Sequence, residues 1–390
     1  MIKILVIIPS GTVYGLQNIT LDFMRSLSKK DFNCHFLITR WTDGELARRL
    51  DALKIPYTYS WLGMFSRKLD WENLRMTIQY LSKIPRIYID VMSLIKKYRP
   101  NIIYTANYHE LIPLTPLLKT MGLPVVDHMH DPPPAILFQR MMFRFWDLPV
   151  SKYITTSQDV QKRLERLGGD SDKILVLHNG IDVPLFQRGI QHSNHFVEQY
   201  GWPPESVILG MTGQMIEAKG HLDLIEAVQQ LHKDYPNVRL VIGGKQEASF
   251  YQRLISEVEN RDLSDTIVFS GWQEDIRDFY SDIDIFVLPS RHDEGFGLVV
   301  AQAMAMGLPV VATRSGGVSE VVEDRVTGFL IKKNSPSEIA NAISRLVKSK
   351  TLRQSMGAAG RRRIEERFDL SKQSARFETV LKVLTNGVKP

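Results

Sequence analysis

Cysteine is all but missing. Cys34 stands alone among 390 residues, so no internal disulfide can form and the class of small disulfide-stapled secreted domains is excluded. Such usage fits a reducing compartment, and a cytoplasmic location is the expectation. Long apolar runs are missing too: none approaches the ~20 residues that a spanning helix needs. The opening MIKILVIIPSG has one lysine ahead of its apolar run and stops at Pro9-Ser10-Gly11 without a small-residue cleavage pattern, so it reads as a first buried strand rather than a signal peptide. There is no short-period repeat and no low-complexity tract. Also absent is G-x-G-x-x-G. The first loop, PSGTVYGLQN, lacks it and no acid follows at the expected strand end, which counts against a nicotinamide-dependent oxidoreductase.

What is present is the balance of a soluble globular protein, with 44% hydrophobic and 24% charged residues. This length exceeds one ordinary core and favours two domains. The net charge of +6 is unevenly spread: residues 1–182 carry 24 Lys+Arg against 17 Asp+Glu, and residues 183–390 carry 25 against 26. All of the basic excess therefore lies in the first half. A membrane surface, a nucleic acid or an anionic substrate would suit it, and so would a solvated basic face with no partner. Two segments of that half, RKLDWENLRMTIQYLSKIPRIYIDVMSLIKKYRP and FQRMMFRFWDL, mix Lys and Arg with Trp, Phe, Met and Leu as interfacial helices do. Ordinary domain helices share that mixture.

Apolar β-rich runs alternate with helical stretches along most of the chain, the pattern of parallel α/β sheets. Strands are expected at Ile2–Ile8, Cys34–Thr39, Asn101–Thr105, Pro124–His128, Tyr153–Thr156 and Ile174–Leu177. A second series comes at Val207–Thr212, Val238–Gly243, Thr266–Ser270, Ile283–Leu288, Pro309–Ala312 and Gly328–Ile331. Two sheets fit better than one. Between them HNGIDVPLFQRGIQHSNHFVEQYGWPPES, rich in Gly, Pro, Asn and His, is the candidate linker. The segment from Leu370 to about Leu384 reads as a helix with Phe377, Val380, Leu381 and Leu384 on one face and no strand after it.

Chemistry concentrates at strand-to-helix turns of the second half, where helix N-termini offer unpaired amides and the positive end of the dipole to phosphate. GMTGQMIEAKGHLDLIEAV places Gly213 and Gln214 after a strand and Lys219-Gly220 at a helix start, a lysine-and-amide clamp for phosphate. FSGWQEDIRDFYSDIDIFVLPS offers Gly271-Trp272 at a strand end, where a base or sugar ring could stack, although tryptophans are more often packed. EGFGLVVAQA sets Glu294, Gly295, Phe296 and Gly297 before a small-residue helix beginning at Leu298. ATRSGGVSEVVEDRVTGFLI adds Gly316-Gly317 and Glu320.

In this order the elements resemble the retaining glycosyltransferases of family 4. TGQMIEAKG is similar to that family's G-R-x-x-x-x-K-G element, VLHNGIDVPLF to its N-G-I-D junction, DIDIFVLPSRHDEGFGLVVAQAMAMGLPVVAT to its E-x7-E segment, and GGVSEVVEDRVTGFLI to the family's next stretch, G-G-x-x-E-x-x-x-x-x-x-x-G. YGLQNITLDFMRSLSK resembles the first loop-helix, with Gly15 where a glycine pair is usual, and VVDHMHD resembles a strand ending in His-Asp. The resemblance implies a GT-B fold: two Rossmann-like α/β domains with parallel sheets facing a central cleft. Residues 1–180, joined by the helix 370–390, would form the acceptor side and residues 181–369 the nucleotide-sugar side. It implies a retaining hexosyltransferase that moves a sugar from a nucleotide-diphosphate sugar, UDP-linked by preference, to a glycan, lipid-linked or small-molecule acceptor. Polysaccharide biosynthesis is the expected setting, without cofactor or metal, with peripheral membrane contact through the basic half and no nucleic-acid partner.

Carried over position by position, Glu294 would bind hydroxyls of the donor sugar, the Gly297 and Leu298 amides would hold the diphosphate, and Lys219 would neutralise it as it leaves. His130 would line the sugar pocket, with His128 two residues earlier facing the same way. Gly15, Gly213 and Trp272 join the donor set. Two positions depart from the pattern: Gln214 stands for the usual arginine and Gln302 for the second acid, which grips ribose. The first removes a fixed positive charge, and the second keeps hydrogen bonding without its charge-assisted strength. A non-catalytic nucleotide-sugar-binding relative is therefore the alternative. The His-x-His of residues 128–130 lacks a third spaced ligand for zinc. Asp282-Ile-Asp284 begins a buried strand and reads as capping or surface rather than a metal clamp, and Arg361-Arg-Arg363 reads as a solvated helix face.

Overall fold

The computed structural model describes residues 1–9, 13, 15–63, 71–187 and 195–386. The chain divides into two units, Met1–Gly180 with Leu370–Pro390, and Ile181–Asp369. The first is built on a sheet of β1 (Ile2–Ile8), β2 (Phe32–Thr39), β3 (Tyr57–Ser60), β4 (Ile102–Thr105), β5 (Val125–Met129), β6 (Val150–Thr155) and β7 (Ile174–Val176). Their spatial order is β3-β2-β1-β4-β5-β6-β7, and every pairing is parallel. Parallel strands are covered on both faces and so read as unbroken apolar runs. β1 obeys this, with Ile4 to Ile8 all buried.

On one face Leu5, Ile7, Ile103, Val125 and Tyr153 share a core with the helices Trp71–Tyr98, Tyr108–Met121, Leu137–Trp146 and Gln158–Leu167. The other face is covered in part by the helix Gly15–Ser26 and by the last helix, Leu370–Asn386. Phe377 of that last helix sets its ring edge-on to Phe23 at 5.3 Å and to Tyr104 at 5.9 Å. Glu378 accepts the Ser28 amide at 2.7 Å and Lys382 pairs with Asp31 at 2.6 Å. Its inner face is Gln373, Ser374, Phe377 and Leu381, rotated from the expected stripe, because Val380 and Leu384 are only half-buried.

The second unit repeats the plan with β8 (Val207–Thr212), β9 (Val238–Gly243), β10 (Ile267–Gly271), β11 (Ile285–Leu288), β12 (Val310–Thr313) and β13 (Gly328–Ile331), in the order β10-β9-β8-β11-β12-β13. Three corrections to the sequence reading belong here. β3, of sequence YTYS, is short and sits at the sheet edge, so it has no apolar run to announce it. Residues read as a linker are largely domain: Ile181, Val183, Phe196 and Trp202 are buried in the second unit's core with Phe279 and Phe286. Arg361 and Arg363 are not a solvated face. Arg361 donates to the carbonyls of Phe186 and Ala305, and Arg363 to those of Val321 and Glu320 at 2.8 and 3.0 Å, tying the helix Lys350–Arg367 to neighbouring turns. Only Arg362 of the three is exposed.

Candidate functional site

In the second sheet the strand order reverses between β8 and β11. Such a switch point leaves a crevice beyond the carboxyl ends of the two strands, because their following loops depart to opposite faces. The loop after β8 carries Gly213 to Gly220 and the loop after β11 carries Pro289 to Gly297. Both are pinned together there. The Arg291 amide donates to Ala218 O at 2.8 Å, and the Arg291 guanidinium grips the buried Asp223 at 2.6 and 2.8 Å. Gly220 has φ +77, and a Cβ on it would lie 2.0 Å from Pro289 O. Only glycine accepts both the dihedral and the approach.

Across this junction Lys219 Nζ meets Glu294 at 2.7 Å to Oε1 and 3.0 Å to Oε2, and the Ser290 hydroxyl donates to the same carboxylate. Burial pushes the Glu294 carboxyl up, but attraction and hydrogen bonding from Lys219, with Ser290 and His292 adding to them, bring it below its ordinary value. It is a carboxylate at neutral pH. Its own carbonyl accepts the Gly317 amide at 2.9 Å, which draws the turn after β12 into the same cluster. Gly297, at φ +88, caps the helix Leu298–Ala305, whose first amides have no intrahelical acceptor. A helix start, an ammonium and a carboxylate thus converge on one sheet edge.

The remaining donor-set residues of this unit fall into three groups. Gln214 is exposed on the β8 loop and Gly213 lies just before it at φ +152; Trp272, at the end of β10, is 54% exposed. Gly295 and Leu298 flank the helix start, half-buried. Phe296 and Gln302 are turned inward. The Phe296 ring packs on Phe368 at 5.5 Å within the core, so what this residue can offer a ligand is backbone. Gln302 Oε1 lies 3.3 Å from the hydroxyl of the fully buried Tyr280, which anchors the side chain from within. Ser290, Arg291 and His292 were missed by the sequence reading. The charge-rich PSRHDEGFG was a signal, but the partners Asp223 and Ala218 lie too far along the chain to be read.

In the first unit His130 follows β5 directly. The residue is half-buried, its Nε2 is shielded from solvent without a hydrogen-bond partner, and burial lowers the imidazole to about 4. The His128 ring lies against it, tilted by 33° at 4.4 Å, and is fixed by Tyr104, whose hydroxyl lies 2.7 Å from Nδ1. Burial, then repulsion from His130, holds His128 well below the ordinary histidine range. Both rings are neutral at pH 7. Asp127 takes the opposite face of the strand, accepts from the Thr105 hydroxyl at 2.7 Å, and is raised to about 7 by burial. Gly15 begins the helix Gly15–Ser26 and is exposed; Ser10 to Thr12 and Tyr14 of its loop lie outside the described residues.

Among the described residues no group of three or more His, Cys, Asp or Glu side chains is placed to share a metal ion. Asp284 accepts the Ile208 amide at 3.0 Å. That contact lies at the amino edge of β8 and β11, away from the Lys219 loop.

Two family models match the chain, "Glycosyltransferase Family 4" over residues 13–184 and "Glycosyl transferases group 1" over residues 193–363. The chain belongs to glycosyltransferase family 4. This family 4 chain is 29% identical over 220 residues to the capsular polysaccharide biosynthesis glycosyltransferase CapM of Staphylococcus aureus, covering 56% of this chain and 54% of that one. It is 32% identical over 212 residues to the D-inositol 3-phosphate glycosyltransferase of Corynebacterium jeikeium, covering 52% and 50%. The chain thus spans about half the length of these relatives. Anabaena HepE, solved with UDP and glucose, superposes with a TM-score of 0.83 at 21% identity over 98% of this chain and 100% of that one. Sucrose-phosphate synthase from Thermosynechococcus elongatus does so at 0.82 and 19% over 100% of each. These likenesses show the GT-B fold.

Proposed function

We propose that this protein transfers a sugar from a nucleotide-diphosphate sugar to a glycan, glycolipid or small-molecule acceptor with retention of configuration, using no metal ion. The observation that carries the reading is the Lys219–Glu294 pair, held 2.7 Å apart beside the helix start at Gly297. Breaking the bond between the anomeric carbon and phosphate puts negative charge on the diphosphate and positive charge on the sugar. Lys219 and the Gly297 and Leu298 amides answer the first, and the Glu294 carboxylate the second while its oxygens orient sugar hydroxyls. Without donor the two charges neutralise each other, so the diphosphate competes with Glu294 for the ammonium and the sugar hydroxyls take over the carboxylate. With front-face attack the departing phosphate accepts the acceptor's proton, which leaves no task for a protein base; His130, neutral, would serve as a hydrogen-bonding partner of the sugar. A UDP-linked sugar is the first donor to test. The capsular relative supports a surface glycan or its lipid-linked precursor as acceptor.

Two measurements test this. Thermal-shift screening should show stabilisation by a nucleoside diphosphate; stabilisation by a nicotinamide dinucleotide alone would overturn the reading. Turnover of labelled sugar nucleotides with lipid-linked acceptors should be lost in Lys219→Ala and Glu294→Ala. A binding-only role is the second reading, favoured by Gln214 and by the inward-anchored Gln302. It predicts donor binding with no turnover across the screen.

A further inference from the structure

The helix Leu137–Trp146 has two apolar faces. Phe143 and Trp146 point into the core, while Leu137, Phe138 and Met141 are 77%, 63% and 62% exposed, with Ile136, Phe145 and Leu148 also open to solvent. Positions 137, 138, 141 and 145 follow the helical repeat, so they form one stripe along the outer surface. Residues 132–146 contain no acid; their charges are Arg140 and Arg144, both exposed and both on one flank of the stripe. A second outward face repeats the pattern. On the helix Trp71–Tyr98, Trp71, Ile78, Leu81 and Ile89 are exposed, and Arg75 and Arg86 are exposed beside them. The helix Tyr108–Met121 packs against each of these two helices, in the same layer over one face of the first sheet.

We infer that this helical layer is a docking surface for an anionic lipid bilayer, with the stripe of Leu137, Phe138, Met141 and Phe145 entering the headgroup–acyl boundary. Single exposed apolar residues are ordinary, but a continuous stripe of large ones marks an interaction site. Charge selects the occupant. A second copy of this chain seated face to face would bring two sets of arginines together with no acid on the stripe to answer them. Phosphate headgroups answer them directly, and a planar partner can meet both outward faces at once. No helix among the described residues is long and apolar enough to cross a membrane, so the contact is peripheral. The inference is independent of what the chain catalyses.

The test is co-sedimentation of the full chain with phosphatidylcholine vesicles prepared with and without phosphatidylglycerol, at low and high salt. Binding should require the anionic lipid and weaken with salt. Phe138→Ser combined with Met141→Ser should reduce it by about tenfold or more. Arg140→Gln combined with Arg144→Gln should reduce it about fivefold per charge and flatten the salt dependence. These side chains are exposed, so an unchanged urea midpoint verifies each variant, and Leu137→Ser substitutes for any that shifts it. Absence of binding to anionic vesicles overturns the inference, as does binding that neither double variant alters. Self-association in sedimentation velocity that Phe138→Ser with Met141→Ser abolishes, without vesicle binding, would assign the surface to a second copy instead.

Discussion

At the carboxyl edge of the second sheet an ammonium and a carboxylate lie 2.7 Å apart, whereas at the carboxyl edge of the first sheet two imidazoles meet at 4.4 Å and a carboxyl rests against a threonine hydroxyl. Both clusters are shielded from water, yet they end in opposite charge states. Glu294 stays ionised because a full positive charge and a hydroxyl outweigh its desolvation. Asp127, His128 and His130 have only neutral partners or each other, so burial shifts each toward its uncharged form. The difference fits a division of labour. Under the proposed function, charge that develops on a departing diphosphate and on the sugar is met by the permanent charges of Lys219 and Glu294, while a neutral His130 can only hydrogen-bond.

The sharpest break in this comparison comes from scaffold rather than site. Phe377→Ala should cost the first unit about 3–5 kcal/mol, since it empties the space between Phe23 and Tyr104; urea unfolding should split into two transitions, with only the earlier one moved. Next, Lys219→Ala should lower kcat by about 10²–10³-fold, the scale of losing one transition-state charge contact, and His130→Ala by no more than about tenfold, the worth of one neutral hydrogen bond. Equal losses in steady-state assays would erase the proposed division. Gly220→Ala should destabilise the second unit by about 1–3 kcal/mol, measured by thermal unfolding, because φ +77 and the Pro289 carbonyl both oppose a Cβ.

The smallest effect is a pH signature with two signs. Asp127 is raised to about 7 against ~3.9 when unfolded, so the folded state holds a proton the unfolded state has lost, and stability falls as pH rises across that window. His130, lowered to about 4 from ~6.5, acts in reverse: stability falls as pH drops from about 6.5 to about 4. Asp127→Asn keeps the acceptor for Thr105 and removes only the first term. It should gain about 1–2 kcal/mol at pH 8 and nothing at pH 4, read as a pH series of urea midpoints.

Much of this architecture was legible beforehand. β1, β8, β9 and β13 match their expected bounds residue for residue, because strands buried on both faces leave continuous apolar runs. β6 begins earlier than expected, at Val150, since Ser151 and Lys152 interrupt its apolar pattern. The segment 178–206 misled because its scattered Gly, Pro, Asn and His residues break up any regular apolar pattern, while the aromatic residues that seat it in the core, Phe196 and Trp202, are few. The arginines 361 and 363 misled for a related reason. A charged run on a helix looks solvated until a turn from elsewhere in the chain presents carbonyls to it.

The sequence by itself determined the strand-and-helix alternation, the family membership and the residue types gathered at each strand-to-helix turn. These are local properties, written in periodicity and in glycine and acid spacing within a few residues. Tertiary structure alone decided that Lys219 meets Glu294, that Arg291 meets Asp223, that Gln302 is anchored by Tyr280, and that the last helix closes on Phe23. Each pair is separated by a crossover connection or by a whole unit, and which side chains meet depends on strand order and on where each loop closes. No local pattern encodes that distance.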